Sequence, residues 1–225
     1  MRTAWAAALL LGCAGMAQAQ LPARLEILYE VLRNGSPVAE ITGRLERSAG
    51  GYRLIETWQG KGLYALLGNA KRTSQGVLSA TGARPLEFTD ERSGRDTARA
   101  WFDWGANTLT MRYKGRSRTE PIPPNAQDRI SFMLALALAP AGTRSLDVHL
   151  VDGRGVSHHV YEYGGRERVK TAAGEFDALK VRRSHEQERV EIWLAASLGN
   201  LPVRMLAVKE GGTSYDQVAI RISRT

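Results

Sequence analysis

"LEILYEVLRNGSPVAEITGRLERSAGGYRLIETW", residues 25–58, is the stretch whose reading decides the fold. Short alternating segments are broken first by Asn34-Gly35 and then by Ala49-Gly50-Gly51. Asn-Gly between two alternating runs is the sequence signal of a tight hairpin, because both residues accept the positive φ that a type I′ turn needs. The stretch therefore reads as a meander of three strands.

The same texture continues outward. "GKGLYALLGNAKR" (60–72) is weakly patterned and reads as a loop or one helical turn. Strands resume with "RPLEFTDER", a Ser93-Gly94 turn and "DTARAWFDW". In that last run Ala98, Ala100, Phe102 and Trp104 share one face, and Arg99, Trp101 and Asp103 the other. Turns at Gly105-Ala106-Asn107 and Lys114-Gly115 lead through "TLTMRY" to a strand ending at Pro121. After residue 143 the pattern returns, with turns at Asp152-Gly153, Ala173-Gly174 and Gly211-Gly212.

One segment breaks the alternation. "PPNAQDRISFMLALALAP" (123–140) opens on prolines and closes on one. Asn125 stands where an N-cap would, and Asp128 where an acid favours a first helical turn. The run is apolar on nearly every side, which marks a buried helix. It predicts a helix over 127–139 lying against, or plugging, the concave side of a sheet. About a dozen strands in successive hairpins predict an all-β, mainly antiparallel fold. The expected form is a curved meander making a barrel, half-barrel or β-roll-like sheet. Residues 20–225 form a single β-rich domain in this reading, and a boundary between two subdomains would fall near 122–143.

The first residues, "MRTAWAAALLLGCAGMAQAQ", are of another kind. Arg2, an apolar run over 4–12 and Ala17-Gln18-Ala19 have the order of a secretory signal peptide cut after Ala19. The run falls short of the roughly 20 apolar residues that span a bilayer. The expected compartment is the periplasm, and no transmembrane segment is expected. Leu10-Leu11-Gly12-Cys13 supports an alternative, a lipobox with Cys13 acylated. Cys13 is the sole cysteine, so the exported chain would have no disulfide and no thiolate. The net charge of +8 becomes +7 once Arg2 is removed, because residues 1–19 hold no acid. A basic balance favours anionic surfaces such as lipid headgroups, and nucleic acid is not expected outside the cytoplasm.

Four motifs in order complete the picture: "FDW" at 102–104, "QDRISF" at 127–132, "TAAGEFDALKVRR" at 171–183 and "EIWLA…LPVRM" at 191–205. Their order and spacing resemble an exported bacterial family known as domain of unknown function 3108, over residues 25–222. The resemblance implies a β-rich envelope protein. It implies no activity, cofactor or catalytic residue.

The residues themselves carry little catalytic pattern. The chain has no G-x-S-x-G elbow, no phosphate-cradling glycine motif and no His-Glu-x-x-His spacing. Asp90 and Glu91 are neighbours on a strand and face apart, which does not suit a glycosidase pair. His149 and one of His158 and His159 could meet across the Asp152-Gly153 hairpin beside Asp147, without ligand spacing that would make them a metal site. No cofactor or metal is expected. Asp128 and Arg129 either brace the helix by ion pairs or leave Arg129 facing an anionic ligand group. Trp101, Trp104 and Trp193 suit either a core or the wall of an apolar cavity. The expectation is a non-enzymatic protein that binds an apolar or amphiphilic envelope ligand, such as a lipid, or an envelope protein partner. The residues assigned to that task are Trp101, Trp104, Arg129, Trp193 and Arg204. A scaffolding factor of the envelope, or a hydrolase with residues converging from distant strands, are the alternatives.

Overall fold

The computed structural model of the protein describes residues 21–79, 82–185 and 188–224. The expected signal segment 1–19, with Cys13, lies outside them. One arm of the chain runs through β1 (Arg24–Arg33), β2 (Ser36–Ser48), β3 (Gly51–Gly60), β4 (Asn69–Ser79), β5 (Gly82–Arg92), β6 (Arg95–Asp103), β7 (Thr108–Tyr113) and β8 (Arg116–Pro121). The short β9 (Ala126–Asp128) and the helix α1 (Phe132–Leu138) follow. The returning arm is β10 (Ser145–Val151), β11 (Val156–Thr171), β12 (Gly174–His185), β13 (Glu188–Ala195), β14 (Leu201–Lys209) and β15 (Ser214–Arg224).

All fifteen strands form one sheet, in the order β8 to β1, then β15 to β9. The first and last strands are therefore neighbours in its middle, where Ile27 pairs with Ile222 and Val31 with Gln217. Each arm steps outward by hairpins to its own edge, β8 or β9. Those two edges are joined by residues 122–125 alone, a reach of roughly 3.5 Å per residue at most. The sheet must therefore curl until its edges approach. It coils into a barrel-like shell that is not closed by hydrogen bonds. Across the seam, Gln127 Nε2 donates to the Ala83 carbonyl on β5 (2.8 Å), and Arg154 Nη1 reaches Asp90 Oδ2 (3.0 Å).

Local chemistry explains the strands. In β1 every second residue from Leu25 to Val31 is buried. Asn34 and Gly35 take φ of 49° and 82°, as the hairpin signal predicts. Gly153 (φ 77°) sits so tightly against β6 that a Cβ there would lie 2.7 Å from the Arg99 nitrogen. This turn packs the β10–β11 hairpin across the seam.

Two expectations need correction. The helix covers Phe132–Leu138 rather than 127–139, and Asn125 does not cap it. Asn125 adopts φ 51°, and Ala126–Asp128 are buried and pair in parallel with β10. Asp128 Oδ1 accepts the Ile130 and Ser131 amides (2.9 and 2.8 Å), so it fixes the turn that leads into the helix, from within a strand. Burial of the helix follows the prediction: Phe132, Leu134, Leu136 and Ala137 are all buried. Within 60–72, read as a loop or one helical turn, residues 62–67 do form a 3₁₀ helix, but Asn69 then starts a strand that the alternation did not show.

Candidate functional site

Successive strands run in opposite directions, so the turns after β1, β3, β5, β7, β10, β12 and β14 gather at one end of the shell. Near that end the interior opens into a cavity of about 410 Å³, within the range of small-ligand sites. Its apolar part is built by Phe132 and Met133 of α1, Leu150 of β10, Val190 of β13 and Met205 of β14. The opposing wall is polar. Helix α1 thus fills the far part of the interior and leaves the near part open. A smaller apolar hollow of about 50 Å³ shares Met133 with the cavity and lies against Leu25, Ile27 and Leu45.

Two charged clusters line the polar wall. In the first, Arg72 Nη1 bonds Glu56 Oε1 (2.8 Å), Trp58 Nε1 donates to the same oxygen, and the Arg72 guanidinium lies 5.5 Å from the centre of the Trp58 ring. Behind it Asp90 receives Arg92 (2.8 Å) and Arg154 (3.0 Å). Burial would push the Asp90 carboxyl up, but Arg92, Arg72 and Arg154 together hold it below its ordinary value. In the second cluster Arg183 donates to His159 Nδ1 (2.9 Å) and pairs with Glu188, which also pairs with Lys209. Burial pushes Glu188 up as well, and Lys209 and Arg183 outweigh it.

Arg129 differs from both. It lines the same cavity, exposed between the buried Asp128 and Ile130, and has no hydrogen bond or ion pair among the described residues. The three arginines of the cavity are thus two that are neutralised and one that is not. Nearby, burial pushes the Tyr161 hydroxyl up to about 12, against the pull of Arg183 and Arg129. Asp128 does not pair with Arg129; it turns inward and accepts Ser74 Oγ on β4 (2.5 Å). The helix is braced by hydrogen bonds of Asp128, which frees Arg129 to face the cavity.

The five residues singled out from sequence fall in four places. Arg129 is in the main cavity. Trp104 lines a second hollow of about 350 Å³ at the seam, where its ring stacks on Phe102 (6.2 Å), lies under Arg84 (5.4 Å) and donates Nε1 to Pro85 O (2.8 Å). Trp193 and Arg204 do meet, 4.9 Å apart, on the face of β13 and β14 opposite the cavity. There Trp193 is held between Arg204 and Lys180 (4.7 Å) and donates to Glu167, while Arg204 forks onto Asp216 (2.9 and 2.7 Å). Trp101 is half-buried on the outer face of β6, between Glu87 and Thr110 on its neighbours. Sequence reasoning passed over Arg72, Arg183 and Glu56, and weighed His159 only as a partner of His149; their signal was polar residues at inward positions of β3, β4, β11 and β12.

His149 and His158 meet across their hairpin as the register requires, with ring centres 4.9 Å apart and His158 Nε2 donating to Asp147 (2.6 Å). Among the described residues no group of three or more His, Cys, Asp or Glu is placed to hold a metal ion. No helix among them is long and apolar enough to cross a membrane.

Fold and cavity together define a β-barrel-like protein, open along one seam, with an amphipathic interior. Among solved structures it is similar to a β-barrel-like protein of domain of unknown function DUF1849 from Brucella abortus, at 11% identity and TM-score 0.61, covering 92% of this chain and 99% of that one. A candidate exported protein of YmcC-like fold from Bacteroides fragilis matches at 12% identity and TM-score 0.39, covering 90% of this chain and 96% of that one. No curated protein matches. The sequence profile described as protein of unknown function (DUF3108) matches residues 26–215, and the chain belongs to that family.

Proposed function

We propose that this chain is an exported, non-enzymatic binding protein for an anionic amphiphile of the cell envelope. The observation that carries the reading is Arg129, a cation without a carboxylate partner that faces a cavity floored by Phe132, Met133 and Leu150. A carboxylate or phosphate group would supply the missing partner through a charge-assisted bond, and an apolar tail would cover the floor. The backbone of Arg129 is held at the cavity because Asp128 and Ile130, on either side, are anchored in the core. Export rests on the signal pattern of residues 1–19.

The test is titration of the delipidated protein with dodecanoate and with dodecanol, followed by Trp58 fluorescence or calorimetry. The carboxylate is expected to bind at least tenfold more tightly than the alcohol, and Arg129→Gln to erase that difference. Equal binding of both by the wild-type protein, or an unaltered preference in the variant, would refute the assignment.

A further inference from the structure

The apolar surface at the cavity end is concentrated on one loop. Leu63 and Leu66, in the 3₁₀ helix between β3 and β4, are each 84% exposed, whereas no other large apolar residue among those described exceeds 43%. Leaving a leucine in water rather than burying it costs on the order of 2 kcal/mol. The loop is braced rather than slack. Lys61 N donates to Val38 O (2.9 Å), and its ammonium pairs with Glu30 and Glu40 (3.1 and 2.9 Å). Arg33 donates to the Tyr64 hydroxyl (3.2 Å). Gly60 and Gly68 admit close approach: a Cβ would lie 2.2 Å from Tyr64 O at the first and 2.4 Å from Ser93 Cβ at the second. The fold thus holds two leucines outward beside Trp58 and Arg72, which line the cavity.

The surrounding charge is one-sided. By sequence, the turns at this end, with the strand residues that flank them, hold eight Lys and Arg against four acids, Asp152, Glu186, Glu188 and Glu210. At the opposite end the same count over the turns gives one cation, Arg144, and one acid, Asp103. Arg33, Arg95, Lys114 and Arg116 have no carboxylate partner among the described residues. Exposed leucines at the same end of the shell as these cations match the interface of an anionic bilayer, where the apolar side chains enter the acyl boundary and the cations meet headgroups.

We infer that the loop 61–68 and its basic surround dock the cavity end of the shell on an anionic lipid surface. This goes beyond ligand binding in the cavity, and the experiment reads the two separately. The protein is purified after export from its host, so that the N-terminal segment is in the same processed state in every sample. Sedimentation with vesicles of phosphatidylcholine, alone or mixed with phosphatidylglycerol, is compared for wild type, Leu63→Ser/Leu66→Ser and Lys114→Glu/Arg116→Glu, while dodecanoate binding is titrated on each. Wild type should prefer the mixed vesicles, and amide exchange over 61–68 should slow on them. The leucine variant should bind on the order of a thousandfold more weakly, and the charge variant should lose the preference for anionic vesicles, with dodecanoate binding unaltered in both. Wild type that ignores both vesicles, a leucine variant that binds them as wild type does, or leucines that instead join two copies of the chain in ultracentrifugation, each overturns the inference. Vesicle binding with no dodecanoate binding would overturn only the cavity assignment.

Discussion

Replacing Asp128 by Asn should make the protein more tolerant of neutral pH, although it removes a buried carboxylate that accepts three hydrogen bonds. The Asp128 carboxyl is fully buried. It accepts Ser74 Oγ (2.5 Å) and the Ile130 and Ser131 amides, and no cation pairs with it among the described residues. Burial pushes its pKa from 3.8 up to about 6, with the three donors opposing that rise. The native state therefore holds the proton more tightly than the unfolded chain. As pH rises from about 4 to about 6 the unfolded chain releases its proton first, and native stability falls. With 1.36 kcal/mol for each pH unit between the two values, the loss is about 3 kcal/mol, complete near pH 7. An asparagine keeps an oxygen for the two amides, and its Nδ2 can donate to Ser74, whose own hydroxyl can turn toward Tyr52 (3.2 Å). Urea unfolding of both proteins, followed by tryptophan fluorescence across pH 4 to 8, isolates the effect. Asp90 and Glu188, whose lowered pKa values act in the opposite sense at lower pH, titrate in both proteins and cancel in the difference. The variant's stability relative to wild type should climb by about 2.4 kcal/mol between pH 4 and 7, whatever constant offset the repacking adds. A difference that is flat over that range, or that falls, would refute the account of a dry, unpaired carboxyl.

Three further outcomes follow from the packing. Gly153→Ala should destabilise by about 2 kcal/mol or more, since the new Cβ meets the Arg99 backbone at 2.7 Å and the φ of 77° is unfavourable for alanine; denaturant midpoints check it. Trp193→Phe removes the hydrogen bond to Glu167 and part of the contact with Arg204 and Lys180, and should cost about 1–2 kcal/mol of stability while dodecanoate affinity stays constant. A loss of affinity there would move the binding site to the outer face. Met133→Ala should join the cavity to the 50 Å³ hollow behind it, so that a chain-length series of fatty acids shows its optimum shifted to longer tails.

The parts of this fold that were legible in sequence are those whose inward residues are apolar. Residues 25–58 declared three strands and two turns because Leu25, Ile27, Tyr29 and Val31 face a dry interior. The phase of β13, with Val190 and Ile192 on one side and Trp193 on the other, already assigned the tryptophan to the outer face once the inner one was known. The helix start was misplaced because an acid before an apolar run reads the same whether it sits in a first turn or accepts those amides from a buried strand. β4 was missed for a different reason: it turns Arg72 and Ser74 inward, where a local pattern expects apolar residues. Their partners are Glu56, 16 positions earlier, and Asp128, 54 positions later, so no local window contains the compensation. The start of β11, which the sequence did show as a strand, likewise turns polar residues inward, with Ser157 and His159 on the face that Tyr161 shares. In a sheet that coils around its own core, loss of alternation on the inner face is the signature of a polar interior, and Arg72 and His159 both line the 410 Å³ cavity. The strands hardest to read in this sequence are hard to read because they build the site.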